Sequence, residues 1–355
     1  RLALAGSWDL VVASSTPLTV ALPALIAKRR RGLPFLFEIR DPWPELPRAM
    51  RQGSPLLWRA MDRLADAACR EAVAVIALSD GMAATAVAHG AAPQSVEVLP
   101  NGCDLDLFGP HVTPWRPANL PANHALAVYA GAHGPANGLT QLLHVAALLQ
   151  AAQAPVTLLL VGDGGEKPGL QAAAAAWGLE NIRFFDPLPK ARLAGLLAGS
   201  QIGLQCLAPV PAFAEWTAPN KMMDYLAAGL PVVANLGGRV GRLLAGGEFG
   251  RCGIATPPGD AVALADAVAG LAAAPAIRTA MGRAGRAQAV HRWDRRLLAA
   301  RFCALVEAVG VEAAGLEAPR VEVPGVEAAL AEASLAEAHL AEASLAEASG
   351  RPIAA

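Results

Sequence analysis

The stretch TAPNKMMDYLAAGLPVVAN, residues 217–235, decides how the second half of this chain is read. Asn220 stands where a side chain caps a helix start, and Gly229 where a left-handed glycine ends one. Residues 231–234 then form a short apolar strand. Lys221 and Asp224 are three positions apart and share a helix face. Free amides, the positive end of the helix dipole and an ammonium group together suit a diphosphate, and a carboxylate one turn later can accept hydrogen bonds from a ribose. The plain alternative is a solvated surface pair.

Outward from this stretch, apolar β-branched runs alternate with Ala- and Leu-rich helical patterns. Four runs (9–14, 34–39, 73–78, 96–99) precede a stretch with four prolines and no periodicity, GPHVTPWRPANLPANH, residues 109–124. Six more follow it, at 126–130, 156–161, 182–185, 202–206, 231–234 and 253–255. The pattern predicts an α/β protein of two doubly wound, Rossmann-like domains with parallel sheets. The expected divisions are 1–112, 113–290, a crossing helix over 291–309 and a tail over 310–355. Six strands make a complete sheet of this kind and four do not, so with Arg1 in first place the start of the first domain is expected to be missing. In the tail, leucines recur every five residues at 330, 335, 340 and 345. That step turns ~500° on a helix, so they make no stripe, and a weakly helical or disordered low-complexity segment is expected.

Composition narrows the classes. Charged residues are 17% of the chain and the net charge is −1, which fits a globular protein and gives no field for nucleic acid. Five scattered cysteines, with no C-x-x-C pair, argue against a disulfide or zinc framework and for a reducing compartment. Residues 10–27 are uncharged, long enough for a membrane span. However, DLVVAS reads as a strand and SSTPLT as a helix start, which explains the run without a bilayer. Lys28, Arg29, Arg30 and Arg31 then end that helix as a four-cation cluster.

TAPNKMMDYLAAGLPVVAN resembles the donor-binding segment of the family-four retaining glycosyltransferases of GT-B fold. Residues 8–45, ending in IRDPWPE, are similar to the bacterial surface-polysaccharide branch of that family. ALSDGM, VLPNGCDLDLF, VYAGAHGPANGLTQLL, LLVGDGGE and FFDPLPKARLAGLLAGSQIGL follow in the family's order, so the resemblance covers roughly residues 8–305. It implies a cleft enzyme that takes a sugar from a nucleotide-sugar donor, UDP by family habit, with no metal and no cofactor. The implied acceptor is lipid-linked or a growing surface glycan. The expected place is the cytoplasm, at the inner membrane face, with Lys28–Arg31 as a peripheral contact. A same-fold nucleotide-sugar epimerase and a non-catalytic nucleotide-sugar-binding remnant are the alternatives.

Residue by residue, the resemblance assigns Lys221 to the diphosphate, Asp224 to the ribose and Asn220 to donor binding. The first acid of the family's pair falls at Trp216, so Glu215, one position off, is the candidate. Gly131, His133 and Gly134 form a phosphate-cradling loop, where relatives often carry Arg and Lys, and Gly162 and Asp163 make a tight turn near the nucleotide. Arg40 and Asp41 end a strand on the opposite wall, with Arg40 aiding departure of the diphosphate or orienting the acceptor. The bland reading there is an internal Arg40–Asp41–Glu45 charge cluster. Asp104-Leu105-Asp106 follows a Pro-Asn-Gly turn and is assigned to the hinge, not to a metal. Leu297, Leu298, Phe302, Leu305 and Val306 give the terminal helix its apolar face.

Overall fold

Each of the ten apolar runs becomes a strand, and every neighbouring pair is parallel. The computed structural model describes residues 6–217 and 219–313, the side chains of the last three excepted, and the five-residue repeat lies outside them. The first half runs β1 (Val11–Ser14), α1 (Ala21–Arg31), β2 (Phe35–Ile39), α2 (Glu45–Ala49), α3 (Pro55–Glu71), β3 (Ala74–Ala77), α4 (Asp80–Ala88) and β4 (Val96–Val98). The second half begins β5 (Ala125–Ala130), α5 (Thr140–Ala151), β6 (Val156–Val161), α6 (Lys167–Ala176), β7 (Ile182–Phe185), α7 (Lys190–Ala198) and β8 (Ile202–Gln205). It continues through α8 (Phe213–Trp216), α9 (Asn220–Ala227), β9 (Val232–Ala234), α10 (Gly238–Ala245), β10 (Gly253–Ala255), α11 (Ala261–Ala273), α12 (Pro275–Arg292) and α13 (Arg295–Ala313). Residues 10–27 thus split between a strand, one short turn and a helix, and no single described helix is long and apolar enough to cross a membrane.

The second sheet has the order β10-β9-β8-β5-β6-β7, with its reversal between β5 and β8. Alternation along β5 sends Leu126 and Val128 to one helical layer and Ala127 and Tyr129 to the other. The first sheet runs in one direction, β1-β2-β3-β4. Right-handed crossovers between strands in that order place α1, α3 and α4 on a single face, against Phe35, Phe37, Ile39, Val75 and Ala77. The other face carries Leu36, Ala74 and Ile76, and α13 covers it with Leu298, Phe302, Leu305, Val306 and Val309. These five follow helical spacing. Leu297, one step round the helix from Leu298, is instead 49% exposed, so it leaves the predicted apolar face.

Two chain crossings join the halves, and they are stapled to each other. Cys103 donates its amide to the Trp293 carbonyl at 2.8 Å, and the Arg295 amide donates to Cys103 at 3.1 Å. Asp104 accepts from both Arg295 and Lys190. The Pro-rich stretch is laid down on the second half: the Trp115 amide donates to Gly195 at 2.8 Å, and Arg192 stacks over the Trp115 ring at 4.5 Å.

His89, at the end of α4, ties α2 to α3. Its Nε2 meets Glu45 at 2.8 Å and its Nδ1 meets Asp66 at 2.7 Å. The Glu45 bond, helped by Asp66 and opposed by burial, raises the imidazole from 6.5 to about 8. A raised value stabilises the fold fully below pH 6.5, and the contribution disappears as pH climbs through about 8. A shift of this size corresponds to about 2 kcal/mol. Urea titrations at pH 6 and pH 9 are expected to show that loss in the wild type and to show it abolished in His89→Asn.

Candidate functional site

The helix start in the opening stretch sits at the floor of a cleft between the two sheets. Pro219 occupies the cap position of α9, and Asn220 is the first helical residue with no side-chain cap bond. The expected Asn220 cap is therefore corrected: the helix begins one residue earlier than a capping Asn220 would place it, and the cap residue is a proline, whose side chain cannot accept from an amide. The far end is as read. Gly229 takes φ +78°, its amide donates to Leu226, and the Leu230 amide donates to Tyr225, closing a Schellman turn into β9.

Lys221 and Asp224 do not pair with each other, so the surface-pair alternative does not hold. Lys221 donates to the Tyr129 hydroxyl at 3.0 Å and to Asn137 Oδ1 at 3.3 Å, with its ammonium 4.4 Å from the Tyr129 ring centre. Among the described residues no carboxylate lies within ion-pair distance of it. Burial lowers its pKa from 10.5 to about 8. Asp224 faces the hinge, where burial lifts it from 3.8 to about 6 against the pull of Lys190 and Arg295. No protein group donates to its carboxylate among the described residues.

Glycines let Lys221 lie where it does. A Cβ on Gly131 would come within 2.8 Å of Lys221 Cε, and one on Gly162 would overlap the Gly131 carbonyl. Gly162 also has φ +141°, a conformation that suits glycine. The loops after β5 and β6 are thus back to back: the His133 amide donates to the Asp163 carbonyl at 2.8 Å, and the Glu166 amide donates to His133 at 3.0 Å. Asp163 spends its side chain on the Gly164 amide at 2.8 Å. Gly162 and Asp163 therefore support the Gly131–Gly134 loop from behind.

The His133 side chain is fully buried between Tyr129 and Phe184, and neither ring nitrogen has a protein partner. Burial, with Lys167 nearby, lowers its pKa and keeps it neutral. It gives the loop no charge, and the loop can act on an anion only through its backbone. Lys167, unremarked in the sequence, clamps this region by donating to the Gly162 and Phe185 carbonyls at 2.9 and 3.1 Å and to Asp186 at 2.6 Å.

The opposite wall comes from the loop after β2. Arg40, Asp41, Leu78 and Asn101 face Gln205, Trp216, Thr217, Asn220 and Lys221 around a cavity of about 420 Å³. The Arg40–Asp41–Glu45 cluster is not formed. Asp41 accepts from the Thr16 hydroxyl at 2.9 Å, Glu45 is taken by His89, and Arg40 has no ion-pair partner among the described residues. Two cations thus converge on the cavity from opposite sheets. Glu215 does not join them, because its carboxylate is turned away to Arg242 at 2.6 Å. Trp216 lines the cavity instead. Gln205, whose buried Oε1 lacks a partner, also lines the cavity, and its only signal in sequence is a polar residue at the end of an apolar strand. Asp104 is engaged by two cations and Asp106 lies 3.7 Å from Arg296, which agrees with the hinge assignment.

Two family models match the chain. The model described as "Glycosyl transferase 4-like domain" covers residues 1–102, and "Glycosyl transferases group 1" covers residues 124–274. The chain belongs to this glycosyltransferase family, with the GT-B fold. It is 28% identical over 221 residues to a phosphatidyl-myo-inositol mannosyltransferase of Mycobacterium leprae, covering 59% of this chain and 53% of that one. It is 28% identical over 256 residues to a D-inositol 3-phosphate glycosyltransferase of Kribbella flavida, covering 69% and 56%. The chain thus spans about half the length of these curated relatives. Among solved structures, Anabaena HepE in complex with UDP superimposes with a TM-score of 0.66 at 20% identity, covering 83% of this chain and 78% of that one. Sucrose-phosphate synthase of Thermosynechococcus elongatus gives 0.68 at 20% identity, covering 84% and 73%.

Gly162→Ala tests the back-to-back loops. A side chain in that conformation costs about 1–3 kcal/mol, and the overlap with Gly131 adds to it. Thermal melting should show a midpoint lowered by several degrees, whereas Gly165→Ala, where an added Cβ meets nothing within 4 Å, should leave it unchanged.

Proposed function

We propose that this chain is a retaining glycosyltransferase of hexosyl or N-acetylhexosaminyl type, moving a sugar from a UDP-linked donor to a lipid-linked or growing surface-glycan acceptor. It would work in the cytoplasm at the inner membrane face, without a resident metal or cofactor. The observation that carries the reading is the Lys221 ammonium, half-buried in the cleft floor with no carboxylate partner among the described residues and shared with Arg40 around one cavity. Burying a cation without a counter-charge is costly, and a diphosphate would supply that charge. The first-turn amides of α9 and the loop after β5 would add donors to it, and Asp224 would take the ribose hydroxyls. Arg40, on the other sheet, would meet negative charge as the diphosphate departs. The UDP in the HepE complex supports the choice of nucleotide, and the acceptor class follows the resemblance to the surface-polysaccharide branch.

A second reading has its own support. An indole at the position of the family's first acid and an uncharged His133 favour a chain that binds nucleotide sugar without transferring it. Turnover of a radiolabelled UDP-sugar separates the two.

Calorimetric titration with UDP tests the site itself. Lys221→Ala should weaken binding by about 1.5–3 kcal/mol, the scale of a charge-assisted hydrogen bond. Wild-type affinity should be level below pH 8, the value set by burial, and fall above it as the free ammonium loses its proton. The expected slope approaches about tenfold per pH unit, because bound diphosphate favours the charged form. An unchanged dissociation constant in folded Lys221→Ala, or no pH dependence, removes Lys221 from the site.

A further inference from the structure

The basic cluster at Lys28–Arg31 is at the wrong end of the first domain to serve the cleft. Helix α1 leaves the cleft end of β1 and finishes just before β2 begins, so its last turn lies at the opposite edge of the sheet. Two of its cations are also engaged: Arg29 pairs with Glu71, the last residue of α3, and Arg31 donates to the Gly6 carbonyl at 2.6 Å. Because α3 ends beside this cluster, its start lies at the cleft end, about 25 Å away for a 17-residue helix.

That start is unusual. Leu56 is 76% exposed and Leu57 51% exposed, in the first turn of a helix whose later turns bury Ala65, Ala68 and Cys69 and half-bury Met61 and Leu64. Leu56, Arg59 and Arg63 follow at i, i+3 and i+7, so they form one outward stripe, and Arg51 precedes it on the adjoining turn. None of these three guanidinium groups has an ion-pair partner among the described residues. The carboxylates of α3 are all taken, Asp62 by Arg48, Asp66 by His89 and Arg70, and Glu71 by Arg29. The free charge on the outer face is therefore positive, next to two exposed leucines. The patch is also coupled to the cleft. Arg48 of α2 bonds both Asp62 oxygens, at 2.9 and 2.8 Å, and stacks over the Trp58 ring, while Leu46 of the same short helix lines the cavity.

We infer that the start of α3, with Leu56, Leu57, Arg51, Arg59 and Arg63, is the surface by which this chain sits on an anionic lipid membrane at the mouth of the cleft. The inference rests on the lipid-linked acceptor of the proposed function and relocates its membrane contact from Lys28–Arg31. Exposed leucines enter the interfacial region of a bilayer, and free arginines meet anionic headgroups, so apolar and charged groups act together. A soluble acidic partner would engage the arginines and leave the leucines in water, and a second copy of this basic face would repel the first.

The test is co-sedimentation of the full chain with phosphatidylglycerol/phosphatidylethanolamine vesicles and with neutral phosphatidylcholine vesicles, at low and high salt. Wild type is expected to bind the anionic vesicles and to be released by salt. Arg59→Gln/Arg63→Gln should bind at least about tenfold less, at about fivefold per cation. Leu56→Ser/Leu57→Ser should lose the binding that survives salt. Replacing Lys28, Arg29, Arg30 and Arg31 by Gln should change little. UDP titration of each variant should match wild type, which shows an intact fold and keeps this test separate from that of the donor site. The inference is overturned if wild type ignores anionic vesicles, if the α3 variants bind like wild type, or if only the Lys28–Arg31 variant fails to bind. Sedimentation velocity without lipid that shows a dimer lost in Leu56→Ser/Leu57→Ser would assign the patch to self-association and overturn it too.

Discussion

The two halves of this molecule are held together by a bare sheet face. Strands that follow one another in a single direction collect all their crossover helices on one side, so the opposite side of the first sheet has no local cover. The cover comes from the far end of the chain, where α13 returns with Leu298, Phe302, Leu305, Val306 and Val309. Hydrophobic burial is non-directional, so polar pairings supply the register: Arg301 with Glu97, Arg295 with Asp104, and the backbone exchange between Cys103 and residues 293–295. Once both crossings are pinned, the ends of β2 and β3 must face the ends of β5 and β8. Arg40 and Lys221 line one cavity because of that constraint, although neither touches α13.

Within the cleft, the arrangement gives up stability for readiness. A half-buried ammonium with, among the described residues, only a phenol and an amide as partners is poorly compensated, and its lowered pKa expresses that cost. Carboxylates that could have relieved it are held elsewhere: Glu215 by Arg242, Asp163 by its neighbour's amide, Asp41 by Thr16. The loops around Lys221 are rigid for a steric reason, since Gly131 and Gly162 leave no room between the side chain and the two backbones. Lys167 then bolts the second loop to the end of β7. A site built this way keeps its geometry before any ligand arrives, which reduces the reorganisation that binding would otherwise require.

The sequence by itself determined the strands, their parallel pairing class and the helix that carries Lys221. Apolar β-branched runs too short for helices, separated by Ala- and Leu-rich periodicity, leave few other folds, and a glycine with φ +78° at position 229 is a local requirement legible in one letter. Lys221 and Arg40 were legible as residues of the candidate site, the cavity they both line, for the same reason: both stand at element ends, where a parallel sheet opens its cleft. Only the tertiary structure decided where side chains at those ends turn. His133 reads as a loop residue but is driven under the loop by Tyr129 and Phe184. Glu215 reads as a cleft acid but meets Arg242 on a helix that follows it by more than twenty residues. Leu297 reads as core, yet the sheet it would cover lies one helical step away. Periodicity is a property of the nearby chain, whereas burial and charge pairing depend on partners brought from distant positions, and those partners exist only after the two sheets have closed on each other.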